Sequence, residues 1–113
     1  WLQRMLGKTP DGLPPTEKYP TRAEIKAEWG RVEQAWRVYL NTLTNDMLDN
    51  EIVYVSVTDQ REHHTPAWMA LMQVINHGTD HRAQTLALLH RLGVKTPAQD
   101  WIYYAWEALE KKG

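Results

Sequence analysis

Residues 76–84 read Asn-His-Gly-Thr-Asp-His-Arg-Ala-Gln, and they lie in an apolar pattern of helical period that predicts one long helix over Ala67–Leu92. His77 and His81 are four residues apart, and residues at this spacing are neighbours on a helix surface. His81 also falls where the pattern calls for an apolar residue. A buried imidazole without a partner costs free energy. The pair is therefore a candidate either for a shared metal ion or for local hydrogen bonds.

The composition restricts what kind of site the chain can hold. Its 113 residues make at most one domain, so we expect residues 1–113 to form a single unit. Because the chain has no cysteine, disulfides and thiolate metal sites are excluded, and any metal must be held by His, Asp or Glu. The formal net charge of −1 provides no attraction to nucleic acid or to an anionic membrane surface.

Sequence signals for export or membrane insertion are missing from these residues. No apolar run reaches the length that spans a bilayer, and the first residues do not follow the pattern of a signal peptide. We therefore expect a cytoplasmic protein. The sequence opens on a pattern typical of the last turns of a helix closed by Gly7, from which we expect that an N-terminal part of the fold is missing.

A second helix is predicted after a proline-rich connection, Lys8–Pro20. Thr21 and Glu24 have the spacing of a capping box, in which each side chain satisfies a free backbone N–H of the other residue. The apolar residues that follow are spaced alternately by four and three, which predicts a bundle helix with one buried face: Ile25, Trp29, Val32, Trp36, Tyr39 and Leu43.

Between the two long helices the period changes to two. Ile52–Thr58 predicts a strand, and the nearest partner is the short run Arg61–His64, so we expect a small hairpin or an extended crossover. Thr65 and Pro66 are a typical N-cap and first residue for the histidine helix. Gly93 is expected to end that helix, and Thr96 or Asp100 to cap a final one that begins near Trp101.

Taken alone, the histidine pair leaves both interpretations open. Gly78 follows His77 where a metalloprotease HExxH motif has its catalytic glutamate, so this is not that motif. Two ligands are also fewer than the three that a catalytic metal site normally takes from the protein. His63 and His64, in the predicted loop, are candidates for a replacement ligand or are ordinary exposed histidines.

Four motifs in a fixed order resemble the C-terminal signature of the DinB/YfiT-like family. They are Val74–Gln84 with its H-x-x-x-H-R-A-Q block, Leu88–Gly93 with its Leu-Gly stop, Pro97, and Asp100–Tyr104. The resemblance implies an all-α fold, a four-helix bundle of up-down-down-up type with a short β excursion. It also implies that the N-terminal helices precede Trp1, together with the first of three metal-binding histidines.

By the same resemblance, His77 and His81 are ligands of a divalent metal, zinc, nickel or iron, and the third ligand lies outside this chain. Characterised relatives include transferases and isomerases that use small thiols such as bacillithiol or mycothiol. Whether this chain is an enzyme stays open. The alternative is a non-catalytic helical bundle that acts by association, with both histidines structural.

Further residues of the matching motifs are candidates for a role next to the metal. Arg82 could neutralise a carboxylate or orient a ligand, or form a surface ion pair. Asp80 could accept a hydrogen bond from an imidazole, or be a solvated carboxylate. Gln84 belongs to the block, and Tyr103 could reach the site from the tail. The apolar faces that the missing helices would otherwise cover predict self-association, so a homodimer is expected.

Overall fold

The computed structural model describes residues 1–111, and helices account for most of them. Contacts divide the chain into two compact units, Trp1–Asn76 and a second that begins at His77. The prediction of a mainly helical chain with a short β excursion is confirmed, and the four-helix arrangement stays a prediction. The elements are α1 (Leu2–Met5), a 3-10 turn (Thr16–Lys18), α2 (Arg22–Thr42), α3 (Asn45–Leu48), β1 (Glu51–Val55), β2 (Glu62–Pro66), α4 (Ala67–Arg91) and α5 (Trp101–Glu110).

Local capping determines where the long helices begin and end. At the start of α2, the Glu24 N–H donates to Thr21 Oγ1 at 3.3 Å and the Thr21 N–H donates to Glu24 Oε2 at 3.0 Å, which confirms the capping box. At the end of α4, Gly93 has φ of 77° and the Val94 N–H donates to the Leu89 carbonyl at 3.0 Å. Gly93 therefore ends α4 in the left-handed conformation, as predicted.

The two strands form an antiparallel hairpin, which settles the choice between a hairpin and a crossover. Ile52 pairs with Thr65 and Tyr54 with His63. The prediction that Thr65 and Pro66 start the helix is wrong, because both lie in β2. The strand pairing continues as far as Pro66. The Ala67 N–H has no partner within the helix that it begins, and it donates to the Asn50 carbonyl at 2.9 Å.

The first strand is shorter than the predicted Ile52–Thr58. It ends at Val55, and the turn that follows closes through the Ser56 N–H donating to the Arg61 carbonyl at 2.9 Å. Gln60 has a φ of 58°, a conformation that tight turns require and β-strands do not contain. The β-branched run therefore extends past the point where pairing stops.

A small core holds the first unit together. Its buried residues are Met5 from α1, Ile52 from β1, and Ala67 and Ala70 from the start of α4. The two alanines have no bulky side chain, so the neighbouring elements can approach the α4 backbone closely. Partly buried side chains surround this centre: Trp1, Trp36, Tyr39, Tyr54 and Leu71.

Helix α2 departs from the prediction of one buried face. None of its residues is buried, and Ile25, Trp29 and Val32 are exposed. Only the C-terminal half of the apolar stripe packs on the core, through Trp36 and Tyr39. The helical spacing of the stripe is confirmed, but its N-terminal half is exposed.

Candidate metal centre

His77 and His81 lie on adjacent turns of α4, as their spacing predicts, and their rings meet. Nε2 of His77 is 3.1 Å from Nε2 of His81. The ring centroids are 4.4 Å apart and the ring planes are nearly perpendicular, at 82°. The two Nε2 atoms, each able to act as a ligand, therefore lie side by side at the helix surface.

This separation fits a shared cation. Two imidazole nitrogens that bind one tetrahedral zinc at about 2.0–2.1 Å are about 3.3 Å apart. The observed 3.1 Å is close to that value, so both rings could coordinate one ion with little adjustment. A single proton held between the two nitrogens would give a similar separation, because 3.1 Å is also a hydrogen-bond distance.

Both imidazoles are exposed, which differs from the expected position of His81 on a buried stripe. The apolar stripe of α4 that contains His81 also includes Leu71, Val74 and Leu88. Leu71 and Val74 are half-buried, whereas His81 and Leu88 are exposed. The helical period is confirmed, but burial depends on a neighbouring element, which the spacing along one helix does not determine. The pair is thus accessible to a ligand from solvent.

The pair does not make a complete site within the described residues. Among residues 1–111, no three His, Asp or Glu side chains come close enough together to hold a metal ion. A third protein ligand would have to come from outside this part of the chain. Water or a small-molecule ligand would fill the other positions of a catalytic site.

Arg82 lies one turn beyond Gly78 and folds back along the helix. Its Nη2 donates to Thr79 Oγ1 at 2.9 Å. A Cβ at Gly78 would be 3.2 Å from Arg82 Nη1, so the absence of a side chain there leaves room for the guanidinium. Among residues 1–111 no carboxylate pairs with Arg82. Its charge is therefore available next to the histidine pair.

Asp80 and Gln84, two candidates for a supporting role, bind each other. The Gln84 amide donates to Asp80 Oδ2 at 3.1 Å, one turn apart on the exposed surface of α4. The hydrogen bond from an imidazole to Asp80 stays a prediction. Tyr103 lies on α5, where its ring packs edge-on against Trp106 at 5.4 Å between centroids.

Sequence reasoning missed the contributions of Thr79 and Gly78. Thr79 is three residues before Arg82 and Gly78 four, so both positions face the Arg82 side chain on a helix. A glycine inside a helix costs about 1 kcal/mol relative to alanine, and that cost is the signal that could have drawn attention to Gly78.

His63 and His64 do not join the helical pair, because each is bound to carboxylates of the hairpin region. His63 Nε2 donates to Asp59 Oδ2 at 3.0 Å. His64 is flanked on both sides, with Nδ1 3.1 Å from Glu51 Oε2 and Nε2 3.2 Å from Glu62 Oε1. Both nitrogens donate only in the imidazolium form, so the hydrogen bond to Glu51, followed by that to Glu62, raises the pKa of His64.

A comparison with protein families identifies the chain. The model of the DinB family matches residues 1–113. The chain belongs to the DinB family. No curated protein and no solved structure matches it significantly. In this DinB-family protein, the helices within residues 1–111 include none with the length and apolar character of a membrane span.

Proposed function

We propose that this DinB-family protein binds a divalent metal ion, zinc, nickel or iron, through Nε2 of His77 and Nε2 of His81. The observation that supports the proposal is the 3.1 Å separation of the two nitrogens on an exposed helix face. Imidazole nitrogen is a good ligand for each of these metals, so the pair does not select one of them. The third ligand comes from outside residues 1–111, from another segment or from a partner chain.

We propose further that the metal-bound protein transfers or isomerises a group with the help of a small thiol. A bound divalent metal supplies one effect, a lower pKa for a coordinated thiol, which favours the nucleophilic thiolate at neutral pH. The chain has no cysteine, so the thiol arrives with the cosubstrate. We place this chemistry in the cytoplasm, where small thiols stay reduced.

The protein's own side chains bind and orient the cosubstrate in this proposal. The Arg82 guanidinium, held by Thr79, attracts an anionic group of the cosubstrate to the face next to the histidines. The Asp80–Gln84 hydrogen bond keeps the Asp80 carboxylate turned along the helix. Tyr103 is a candidate contact for the part of the cosubstrate that extends towards α5.

The metal content of protein purified without a histidine tag tests the first step. We expect about one zinc, nickel or iron ion per functional site, measured by mass spectrometry after dialysis. A protein that retains no metal after exposure to all three ions would contradict the proposal. For the second step, metal-loaded protein should consume a small thiol in the presence of an electrophilic acceptor faster than the metal-free protein does.

The second candidate function is a non-catalytic module that acts by association. Its support is the same 3.1 Å contact, which a proton shared between the two imidazoles explains without a metal, together with the exposed apolar residues of α2. Under this alternative, alanine at both histidines changes stability or assembly and leaves metal content unaltered.

A further inference from the structure

Arg4, on α1, lies against two aromatic rings of the first unit. Its guanidinium carbon Cζ is 4.8 Å from the ring centroid of Trp1 and 4.9 Å from that of Tyr54. The two rings contact each other edge-on, with 5.6 Å between their centroids and 73° between their planes. The guanidinium therefore occupies a corner formed by two nearly perpendicular rings, where cation–π attraction stabilises its charge.

The ring contacts leave the hydrogen-bond donors of Arg4 without an acceptor. A guanidinium has five N–H donors, and all of them lie in its plane. Nε of Arg4 is buried and has no hydrogen-bond partner among residues 1–111. Within the same residues, no carboxylate forms an ion pair with Arg4. Partly burying a charged group without an acceptor costs free energy, so an acceptor from outside these residues would stabilise Arg4.

The accessible end of the guanidinium determines which acceptor fits. Arg4 as a whole is half-buried, and Nε is enclosed by the protein whereas the terminal nitrogens Nη1 and Nη2 are not. Two parallel N–H donors at this end match the two oxygens of a carboxylate. Among residues 1–111, Arg4 is also the only cation in contact with either ring. One guanidinium therefore offers a place for one carboxylate.

The aromatic corner is held in place by its own neighbours. The Tyr54 ring stacks on that of His63, with 5.9 Å between centroids and 23° between planes, and the Tyr54 hydroxyl is 3.5 Å from Thr65 Oγ1. Trp1 and Tyr54 are both half-buried, so part of each ring reaches solvent beside the guanidinium. A site whose parts are already fixed loses less conformational freedom when a ligand binds.

We propose that Arg4, with the rings of Trp1 and Tyr54, binds the carboxylate of a small organic acid whose adjoining group is aromatic. The carboxylate oxygens accept hydrogen bonds from Nη1 and Nη2 of Arg4. The aromatic group of the ligand packs on the solvent-exposed parts of the two rings. The histidines of the proposed metal centre take no part in this site, so the proposal does not rest on metal binding.

A titration of the whole chain with sodium benzoate, followed by 1H–15N NMR, tests the proposal. We expect saturable shifts of the Arg4 guanidinium and Trp1 indole signals, whereas the signal of Arg22, an exposed arginine of α2, stays in place. Benzyl alcohol, which has the ring without the carboxylate, and inorganic phosphate should each bind at least about tenfold more weakly, the effect of one charge-assisted hydrogen bond. Unshifted Arg4 signals, or equal binding of either comparison compound, would overturn the proposal.

Two sets of variants locate the binding. Arg4→Lys keeps the positive charge but cannot present two parallel donors, so it should weaken benzoate binding at least about tenfold. Arg22→Lys is the matched control and should leave binding unchanged, as should His77→Ala with His81→Ala. Unchanged binding by Arg4→Lys would overturn the proposal. Loss of binding in the histidine variant would overturn it as well, because the benzoate would then occupy the metal centre.

Discussion

The chain contains two pairs of histidines, one on a strand and one on a helix. The rings of the strand pair contact separate carboxylates, whereas the rings of the helix pair contact each other. His63 and His64 are adjacent in β2, where successive side chains point to opposite faces of the sheet. Each ring therefore finds its own carboxylate partners. His77 and His81 are four residues apart on α4, where side chains at this spacing share a face, and their Nε2 atoms converge to 3.1 Å.

The difference shows that spacing on one helix, and not proximity in sequence, brings the rings of a histidine pair together. The strand pair is closer along the chain, yet its ring nitrogens are occupied by Asp59, Glu51 and Glu62. The helix pair has no carboxylate partner among residues 1–111. A metal ion would therefore compete with nothing stronger than a hydrogen bond between two imidazoles.

The largest expected effect comes from removing the helix pair. His77→Ala with His81→Ala should abolish metal binding, because it removes both imidazoles that we propose as ligands. Metal content after dialysis, measured by mass spectrometry, reports the loss. His63→Ala with His64→Ala is the matched control and should retain the metal. If the control lost metal and the helix variant kept it, the distinction between the two pairs would be wrong.

A large loss of stability is expected when a buried side chain is shortened in β1, the strand that carries Glu51, a partner of His64. Ile52 is 8% exposed in the core and Val53, its neighbour on the opposite face, is 41% exposed. Ile52→Ala should lower the free energy of unfolding by about 2–5 kcal/mol, because it removes buried methyl groups and leaves a cavity. Urea denaturation checks this value. Val53→Ala should cost well under half as much, and equal losses would contradict the assigned burial.

A smaller difference in stability is expected between alanine substitutions at the two helical glycines. Gly30→Ala should stabilise the protein by about 1 kcal/mol, because alanine favours the helix and nothing lies within 4 Å of the new Cβ. Gly78→Ala should gain less, because its Cβ would be 3.2 Å from Arg82 Nη1 and the guanidinium would have to move. Thermal unfolding of the two variants gives the comparison, and a larger gain at residue 78 would show that Arg82 does not lie there.

The smallest effect is expected from the titration of His64. The pKa of His64 is raised, mainly by the hydrogen bond to Glu51, so protonated His64 stabilises the fold below its ordinary pKa and this contribution is lost as pH rises through the raised value. Glu51→Gln should lower the His64 pKa more than Glu62→Gln does, as measured by NMR. The reverse order would contradict the geometry of the hairpin.

The features that follow most directly from the sequence are those that depend on neighbours in the chain. Thr21 and Glu24 determine their own capping box, and Gly93 provides the positive φ that ends α4. The spacing of His77 and His81 is likewise a property of one helix, so the residue pattern by itself predicts their contact. The family assignment was also predictable, because ordered motifs identify it.

Burial and competition between elements do not follow from local pattern in the same way. Trp29 continues a regular apolar stripe, but whether that stripe is covered depends on which element packs against it. Thr65 and Pro66 have the residue types of a helix start, but both pair with β1 and therefore belong to β2. The carboxylates around His64 come from β1 and β2, and only the register of the hairpin brings them together.

The most direct test of the proposed metal centre is a zinc titration of the side-chain nitrogens by two-bond 1H–15N NMR, which follows all five histidines together. We expect the Nε2 signals of His77 and His81 to shift to the metal-bound position in step, while those of His63, His64 and His90 stay in place. If the His77 and His81 signals did not move, or if zinc displaced the carboxylates from His63 and His64 instead, the assignment of the metal centre to the helix pair would be contradicted.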